Sequence, residues 1–128
     1  MMANHGTGEL LRSYYDSWTS GMATFDRERL REILAPDLRF EGPIAGRREG
    51  REPFLRGLAD FVGSLKAFRP LQQLQTQDEA STLYDCEIGA SAGTLRFAEF
   101  FRIEDGCIRE IKLVYDPDEF RRLIAAVV

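Results

Sequence analysis

The segment LRFAEFFRIEDG, residues 95–106, has the alternation of a β-strand that runs into a tight turn. Successive side chains of a strand point to opposite faces of its sheet, so every second residue shares a face. One face of this segment carries Leu95, Phe97, Glu99, Phe101 and Ile103. The other residues on that face are apolar, which predicts a buried face with a carboxylate at its centre. Because burial disfavours the charged form, we expect Glu99 to be neutral with a raised pKa or to meet a donor such as Tyr14.

The segment belongs to a longer region with a period of two that begins at residue 69. This region predicts four strands, over residues 69–78, 80–90, 94–104 and 107–115. Short connections with turn residues join them, and EDG is a strong hairpin signal. Such connections predict an antiparallel meander rather than parallel strands with helical crossovers.

Helical spacing dominates the first half of the chain. Apolar and aromatic residues at this spacing predict helices over residues 8–21, 25–36 and 53–65. A first strand, residues 37–43, lies between the second and third of these helices. Near the end, Asp116 or Asp118 is expected to cap a short helix. The order of elements predicts an α+β fold, with helices on one face of a bent antiparallel sheet.

At 128 residues the chain has the size of one domain. We assign this domain to residues 9–128 and a flexible tail to residues 1–8. No apolar run is long enough to span a membrane, and the first residues show no secretory signal, so the expected location is the cytoplasm. The two cysteines lack C-x-x-C spacing and are expected to be reduced, with Cys86 a small core residue.

Charge and residue content argue against several classes of function. A net charge of −4 and a pI near 5.1 argue against nucleic-acid binding. The basic cluster GRREGRE, residues 46–52, contains acidic residues too and predicts a solvated loop. His5 is the single histidine, so imidazole metal sites, Ser-His-Asp triads and Cys-His dyads lack their central residue. No clustered aspartate motif suggests a metal, and we expect neither a metal nor a cofactor.

Three landmarks together resemble the nuclear transport factor two-like superfamily, in particular its SnoaL-like and ketosteroid-isomerase-like members. They are the aromatic helix YYDSWTSG, the corner LAPDLRFEGP and the final hairpin AEFFRIEDG with the aspartate that follows it. The resemblance covers about residues 9–124. It implies a cone-shaped α+β domain, in which a curved antiparallel sheet packs on about three N-terminal helices. It also implies a pocket between sheet and helices, and dimerisation through the outer face of the sheet. The fold hosts isomerases, dehydratases, cyclases, epoxide hydrolases and non-catalytic binders, so it does not specify a function.

Two catalytic positions of the ketosteroid isomerases are matched by usable residues. Tyr14, seven residues before the helix-ending Gly21, matches the tyrosine that donates to the substrate oxyanion, and Glu99 falls on the second, acidic donor. The general base of the isomerases stands just before a proline, where this chain has Gly42. Its neighbour Glu41 is expected to point to the opposite face unless a bulge turns it inward. The histidine of SnoaL-type cyclases and scytalone dehydratase-like enzymes is missing, as is the Arg-x-Asp element of limonene epoxide hydrolases.

The candidate catalytic residues are therefore Glu99 as acid and Tyr14 as donor. The candidate ligand-binding residues are Trp18, Phe40, Phe54, Phe61, Asp85, Phe97 and Phe101. The expected ligand is a small hydrophobic molecule with a carbonyl or hydroxyl group. The expected chemistry is cofactor-free acid–base catalysis of the isomerase, dehydratase or hydrolase type. The alternative is a non-catalytic ligand-binding or dimerisation module.

Each candidate also has a structural interpretation. Glu99 is alternatively a structural carboxyl bonded to Tyr or Arg, and Tyr14 a core aromatic. Tyr15 is expected to serve in packing, and Asp85 alternatively belongs to an exposed polar face.

A homodimer through the sheet is expected from the resemblance and from a mixed face that the helices leave uncovered. The face in question carries Tyr84, Cys86, Ile88, Ala98 and Phe100.

Overall fold

The computed structural model describes residues 6–125. Its helices are α1 (Thr7–Asp16), α2 (Arg27–Ile33), α3 (Arg51–Ser64) and α4 (Pro117–Ala125), with a short 3-10 turn at Met22–Thr24. Its strands are β1 (Leu34–Gly42), β2 (Gly46–Glu49), β3 (Leu65–Gln75), β4 (Glu79–Ile88), β5 (Gly93–Glu104) and β6 (Cys107–Val114). Within the described range, no helix combines the length and apolar character needed to cross a membrane.

All six strands form one curved sheet in the order β2-β1-β6-β5-β4-β3. Strands β3 to β6 form the predicted antiparallel meander, and the α+β class is confirmed. The sheet is mixed, however, because β1 pairs with β6 in parallel. The prediction of a purely antiparallel sheet was wrong for this pair, since a long connection between two strands leaves their relative direction open. Register shifts place extra residues in β1, β3 and β6 and mark bulges, which bend the strands that contain them.

The turn between β5 and β6 fixes the register of the strand that carries Glu99. Asp105 and Gly106 both have positive φ, 53° and 75°, as a two-residue hairpin turn of type I′ requires. This confirms the hairpin predicted from EDG. Glu99 is consequently placed opposite Leu113 of β6 on one side and Thr82 of β4 on the other.

Several boundaries differ from those predicted. The cluster at residues 46–52 was predicted to be a loop, but its first four residues form the exposed strand β2. Helix α2 ends at Ile33 rather than at Pro36, because a proline disfavours helical backbone in the residue before it. At the start of the chain, α1 begins at Thr7, so the tail predicted over residues 1–8 overlaps the helix. Residues 1–5, which include His5, lie outside the described part.

The core lies on one face of the sheet, where residues of α1, α2, α3 and α4 pack against it. All five face-sharing residues of β5 are buried there, as predicted. Tyr84, Cys86 and Ile88 are buried in the same core, which confirms the core position of Cys86. The prediction that these three lie on an uncovered face was wrong. Phe100 does lie on the outer face and is 47% exposed.

Candidate functional site

A cavity of about 200 Å³ lies between the sheet and helices α1, α3 and α4. Its wall is almost entirely apolar and aromatic. The predicted residues that line it are Tyr14, Trp18, Phe40, Phe54, Phe61, Phe97 and Glu99. The cavity therefore brings together both candidate catalytic residues and five of the seven candidate ligand-binding residues.

Phe101 and Asp85 do not line this cavity. Phe101 is buried deeper in the core, where its ring meets Tyr14 edge-on at a centroid distance of 5.4 Å. Asp85 lies on the outer face and accepts two hydrogen bonds from Arg96, at 2.8 and 3.0 Å. The Arg96 guanidinium holds the pKa of Asp85 below its usual range. Because Thr82 is the partner of Glu99, only even-numbered residues of β4 share the face of Glu99, and Asp85 is directed away.

Glu99 is 2% exposed and accepts hydrogen bonds from three tyrosine hydroxyls. The Tyr14 hydroxyl donates to Oε2 at 2.7 Å, while those of Tyr15 and Tyr84 donate to Oε1 at 2.8 and 3.1 Å. Two of these donors come from α1 and one from the neighbouring strand β4. The carboxylate on the apolar face is thus held by a phenol network, and the predicted contact with Tyr14 is present.

The network leaves the two carboxylate oxygens unequal. Each carboxylate oxygen has about two acceptor positions. Both positions of Oε1 are taken by Tyr15 and Tyr84, whereas Oε2 accepts only from Tyr14. One position on Oε2 therefore remains for a proton or for a ligand donor.

Burial and hydrogen bonding act on the pKa of Glu99 in opposite directions. Desolvation raises this pKa and dominates, while the three tyrosine hydroxyls lower it. The pKa values of Tyr14, Tyr15 and Tyr84 are all raised well above the usual value, first by burial and then by the charge of Glu99. The phenols consequently stay protonated, and Glu99 is the group of the network that gains and loses a proton.

Tyr15 and Tyr84 are the members of the network that the sequence pattern did not predict. Tyr15 was expected to serve only in packing, yet its hydroxyl reaches Glu99 from behind the cavity wall. Tyr84 was placed on the uncovered face, although it lines the cavity beside Glu99. The strand register would have identified Tyr84, because pairing of Thr82 with Glu99 puts Tyr84 on the same face.

The position of the isomerase base offers no free acid. Gly42 borders the cavity, and Glu41 lies at its rim. The Glu41 carboxylate pairs with Arg47 at 3.4 Å, and its side chain is 43% exposed.

Trp18 adds a polar group to the cavity wall, since its buried indole Nε1 finds no hydrogen-bond partner among the described residues. Among residues 6–125, no three His, Cys, Asp or Glu side chains lie close enough together to hold a metal ion.

Comparison with known proteins agrees with this architecture. A structure from Kribbella flavida is 24% identical, with a TM-score of 0.78 over 91% of this chain and 92% of that one. An NTF2-like protein of unknown function from Cytophaga hutchinsonii is 18% identical, with a TM-score of 0.73 over 94% and 98%. A second Kribbella flavida structure, for which a ketosteroid isomerase activity has been proposed, is 23% identical, with a TM-score of 0.69 over 84% and 75%. At these identities the likeness shows the fold alone.

The fold and its cavity define an α+β domain with a pocket between a curved sheet and its helices. The SnoaL-like domain family matches residues 11–111, and the chain belongs to this family. No protein with curated information matches the chain significantly.

Proposed function

We propose that this protein binds a small, largely apolar molecule with a carbonyl or hydroxyl group and performs cofactor-free acid–base chemistry on it. The observation that supports this most directly is the position of Glu99, a buried carboxyl held by three phenols in the wall of an apolar cavity. Ligand pockets commonly combine an apolar wall with a few convergent polar groups and a titratable group of shifted pKa.

Glu99 acts in this proposal as the acid. A raised pKa brings a carboxyl closer to neutral pH, where proton transfer is most effective. In the protonated form the proton resides on Oε2, because both acceptor positions of Oε1 are already filled. Glu99 donates this proton to an oxygen of the ligand. The Tyr14 hydroxyl has a single proton, which it donates to Oε2 at 2.7 Å in this structure, and it turns from Oε2 to donate to the same ligand oxygen when the ligand binds. The reaction is an isomerisation, dehydration or hydrolysis.

The size of the cavity restricts the ligand. An apolar cavity of about 150 Å³ holds benzene, and pockets for drug-sized ligands measure about 300–1,000 Å³. At about 200 Å³, this cavity suits a molecule with a single ring. The ketosteroid isomerase activity proposed for a structural neighbour would need a larger space.

Carbon-13 NMR of glutamate-labelled protein tests the proposal, with Glu99→Gln used to assign the Glu99 signal. We expect Glu99 to titrate above the ordinary glutamate range and its pKa to change in Tyr14→Phe. We also expect Glu99→Gln to retain binding of cyclohexanone, a one-ring carbonyl probe, and to lose turnover of any compound that the wild type converts. The proposal would be contradicted if the pKa of Glu99 were ordinary and unchanged in Tyr14→Phe. It would also be contradicted if Glu99→Gln converted a compound as fast as the wild type does.

The alternative of a non-catalytic binding module is supported by the rim of the cavity. A glycine occupies the position of the isomerase base, and the nearby Glu41 is engaged with Arg47. If the protein only binds its ligand, Glu99→Gln changes the affinity while neither protein converts any bound compound.

We further propose that two copies associate through the outer face of the sheet. Phe100 and Val114, 47% and 56% exposed, lie near the middle of this face. Ion pairs flank these two residues: Arg96 pairs with Asp85 on one side, and Arg102 pairs with Glu110 on the other. The exposed Lys112 lies directly opposite Phe100, so the apolar part of this face is small and bordered by charged residues, as in many interfaces. Sedimentation equilibrium should show a dimer at micromolar concentration and a monomer for Phe100→Glu, and a wild-type monomer would contradict the proposal.

A further inference from the structure

Helix α3 contributes a glycine to the cavity wall at its centre. The residues that α3 turns toward the cavity are Phe54, Gly57, Leu58 and Phe61, spaced three and four residues apart as one face of a helix requires. Among these large apolar side chains, Gly57 leaves a gap.

Nothing in the local backbone or packing requires a glycine at this position. Gly57 has helical backbone, which any residue adopts. A Cβ placed on Gly57 would meet no atom within 4 Å outside its chain neighbours and the backbone of its own helix. A glycine in the middle of a helix is less stable than an alanine. Because Gly57 lines the cavity, the open space beside it adjoins the cavity.

Burial shows how this gap is oriented relative to the polar network. Tyr14, Trp18, Tyr84 and Glu99 are buried and form the floor of the cavity. Gly57 is exposed and lies at the mouth, as does Gly42, where a Cβ would also meet nothing within 4 Å. A ligand whose polar group binds at Glu99 would extend its other end toward these glycines.

We propose that Gly57 determines ligand size, and that the ligand is an elongated one-ring molecule with a polar group at Glu99 and an apolar substituent beside Gly57. This inference rests on the proposed function, because it requires a ligand in the cavity. To the proposed function it adds the chemical class of the ligand, which is a ring with one polar and one apolar end. It also names Gly57 as the residue that selects for this class. A larger side chain at position 57 shortens the ligand that the cavity accepts.

Phenol and 4-ethylphenol are suitable probes, because they share the polar end and differ only in the substituent opposite. Each additional buried methylene strengthens binding about fourfold. Allowing for incomplete burial at an open mouth, we expect wild-type protein to bind 4-ethylphenol about tenfold more tightly than phenol in isothermal titration calorimetry. In Gly57→Leu this preference should disappear, while the affinity for phenol stays within about twofold, the scatter expected of an unaffected site.

Gly63→Leu is the matched control. Gly63 belongs to the same helix, and a Cβ there also meets nothing within 4 Å, but Gly63 does not line the cavity. This variant should keep the wild-type preference. If Gly57→Leu does not fold, Gly57→Ala replaces it, with an expected loss of about fourfold in the preference for 4-ethylphenol, the equivalent of one methyl group.

The possible outcomes separate this inference from the proposed function. If wild-type protein binds phenol but Gly57→Leu keeps the preference for 4-ethylphenol, the ligand does not extend along Gly57 and the inference is wrong, while ligand binding stands. If Gly57→Leu loses affinity for phenol and for 4-ethylphenol to the same extent, a role of Gly57 in size selection is also contradicted. If wild-type protein binds neither phenol, the proposed function and this inference fail together.

Discussion

Tyr15→Phe is the change that tests the phenol network without altering the cavity wall. It removes the hydroxyl that donates to Oε1 of Glu99 at 2.8 Å and keeps the ring, which packs edge-on against Tyr14. A hydrogen bond to a charged group contributes about 1.5–3 kcal/mol to stability, and one between neutral groups about 0.5–1.5 kcal/mol. We therefore expect Tyr15→Phe to lower the free energy of unfolding by about 2 kcal/mol at a pH above the raised pKa of Glu99, where its carboxyl is charged.

A double-mutant cycle isolates the part of this loss that depends on the charge. In a Glu99→Gln background the same change removes a bond between neutral groups, so the expected cost falls to about 1 kcal/mol, which leaves a coupling energy of about 1 kcal/mol. Urea unfolding can be followed by the fluorescence of Trp18, which is the only tryptophan and packs against Tyr15. Tyr115→Phe is the control, because the Tyr115 ring lies against Phe97 and not in the network.

Equal costs of Tyr15→Phe in the two backgrounds would refute this reasoning. They would mean that the hydroxyl of Tyr15 does not respond to the charge at position 99. If Tyr115→Phe lowered the free energy of unfolding by as much, the effect would come from removal of any tyrosine hydroxyl and not from the network.

Three further expectations follow from the electrostatics and the packing. Burial raises the pKa of Glu99, so the folded state binds its proton more tightly than the unfolded state. The contribution of Glu99 to stability should be greatest below the ordinary glutamate range. It should fall as pH rises through the raised pKa, by about 1.4 kcal/mol for each pH unit between the two pKa values. This fall should be absent from urea titrations of Glu99→Gln. Asp85→Asn should have the opposite pH dependence: because Arg96 lowers the pKa of Asp85, the variant is less stable than wild type at pH 7, and circular-dichroism melting should show the difference shrinking in acid. Gly89→Ala should destabilise the protein by more than about 1 kcal/mol in the same assay, because φ is +80° there and a Cβ would lie 2.5 Å from the backbone oxygen of Leu123; unchanged melting would contradict the described position of α4.

The parts of the fold that local patterns specify were predictable. The alternation in β5 predicted the buried face around Glu99, and the turn at Asp105 and Gly106 predicted the hairpin. Of the two caps predicted for the last helix, Asp116 is the one that accepts from backbone N–H groups of the first turn of α4. In these cases one short segment contains all the residues that decide its structure.

The parts that depend on distant pairing were not predictable in the same way. Alternation alone does not tell which face of β4 is buried, and that choice decided between Tyr84 and Asp85 as a neighbour of Glu99. The parallel pairing of β1 with β6 joins strands from opposite halves of the chain. Tyr15 was missed because adjacent residues of a helix point about 100° apart, and the helical pattern does not show that the hydroxyls of Tyr14 and Tyr15 reach one carboxylate.

The separation of Tyr14 and Glu99 along the chain, 85 residues, has a consequence for synthesis on the ribosome. Helix α1 emerges first, but the strand against which it buries its aromatic face emerges only after β1 to β4 have been made. At about 5–20 residues per second, Tyr14 is therefore made about 4–17 s before Glu99. During that interval the aromatic face of α1 is not fully covered, and chaperones recognise exposed segments of this kind. Synthesis of the last hairpin, β5 to β6, completes the burial of this face.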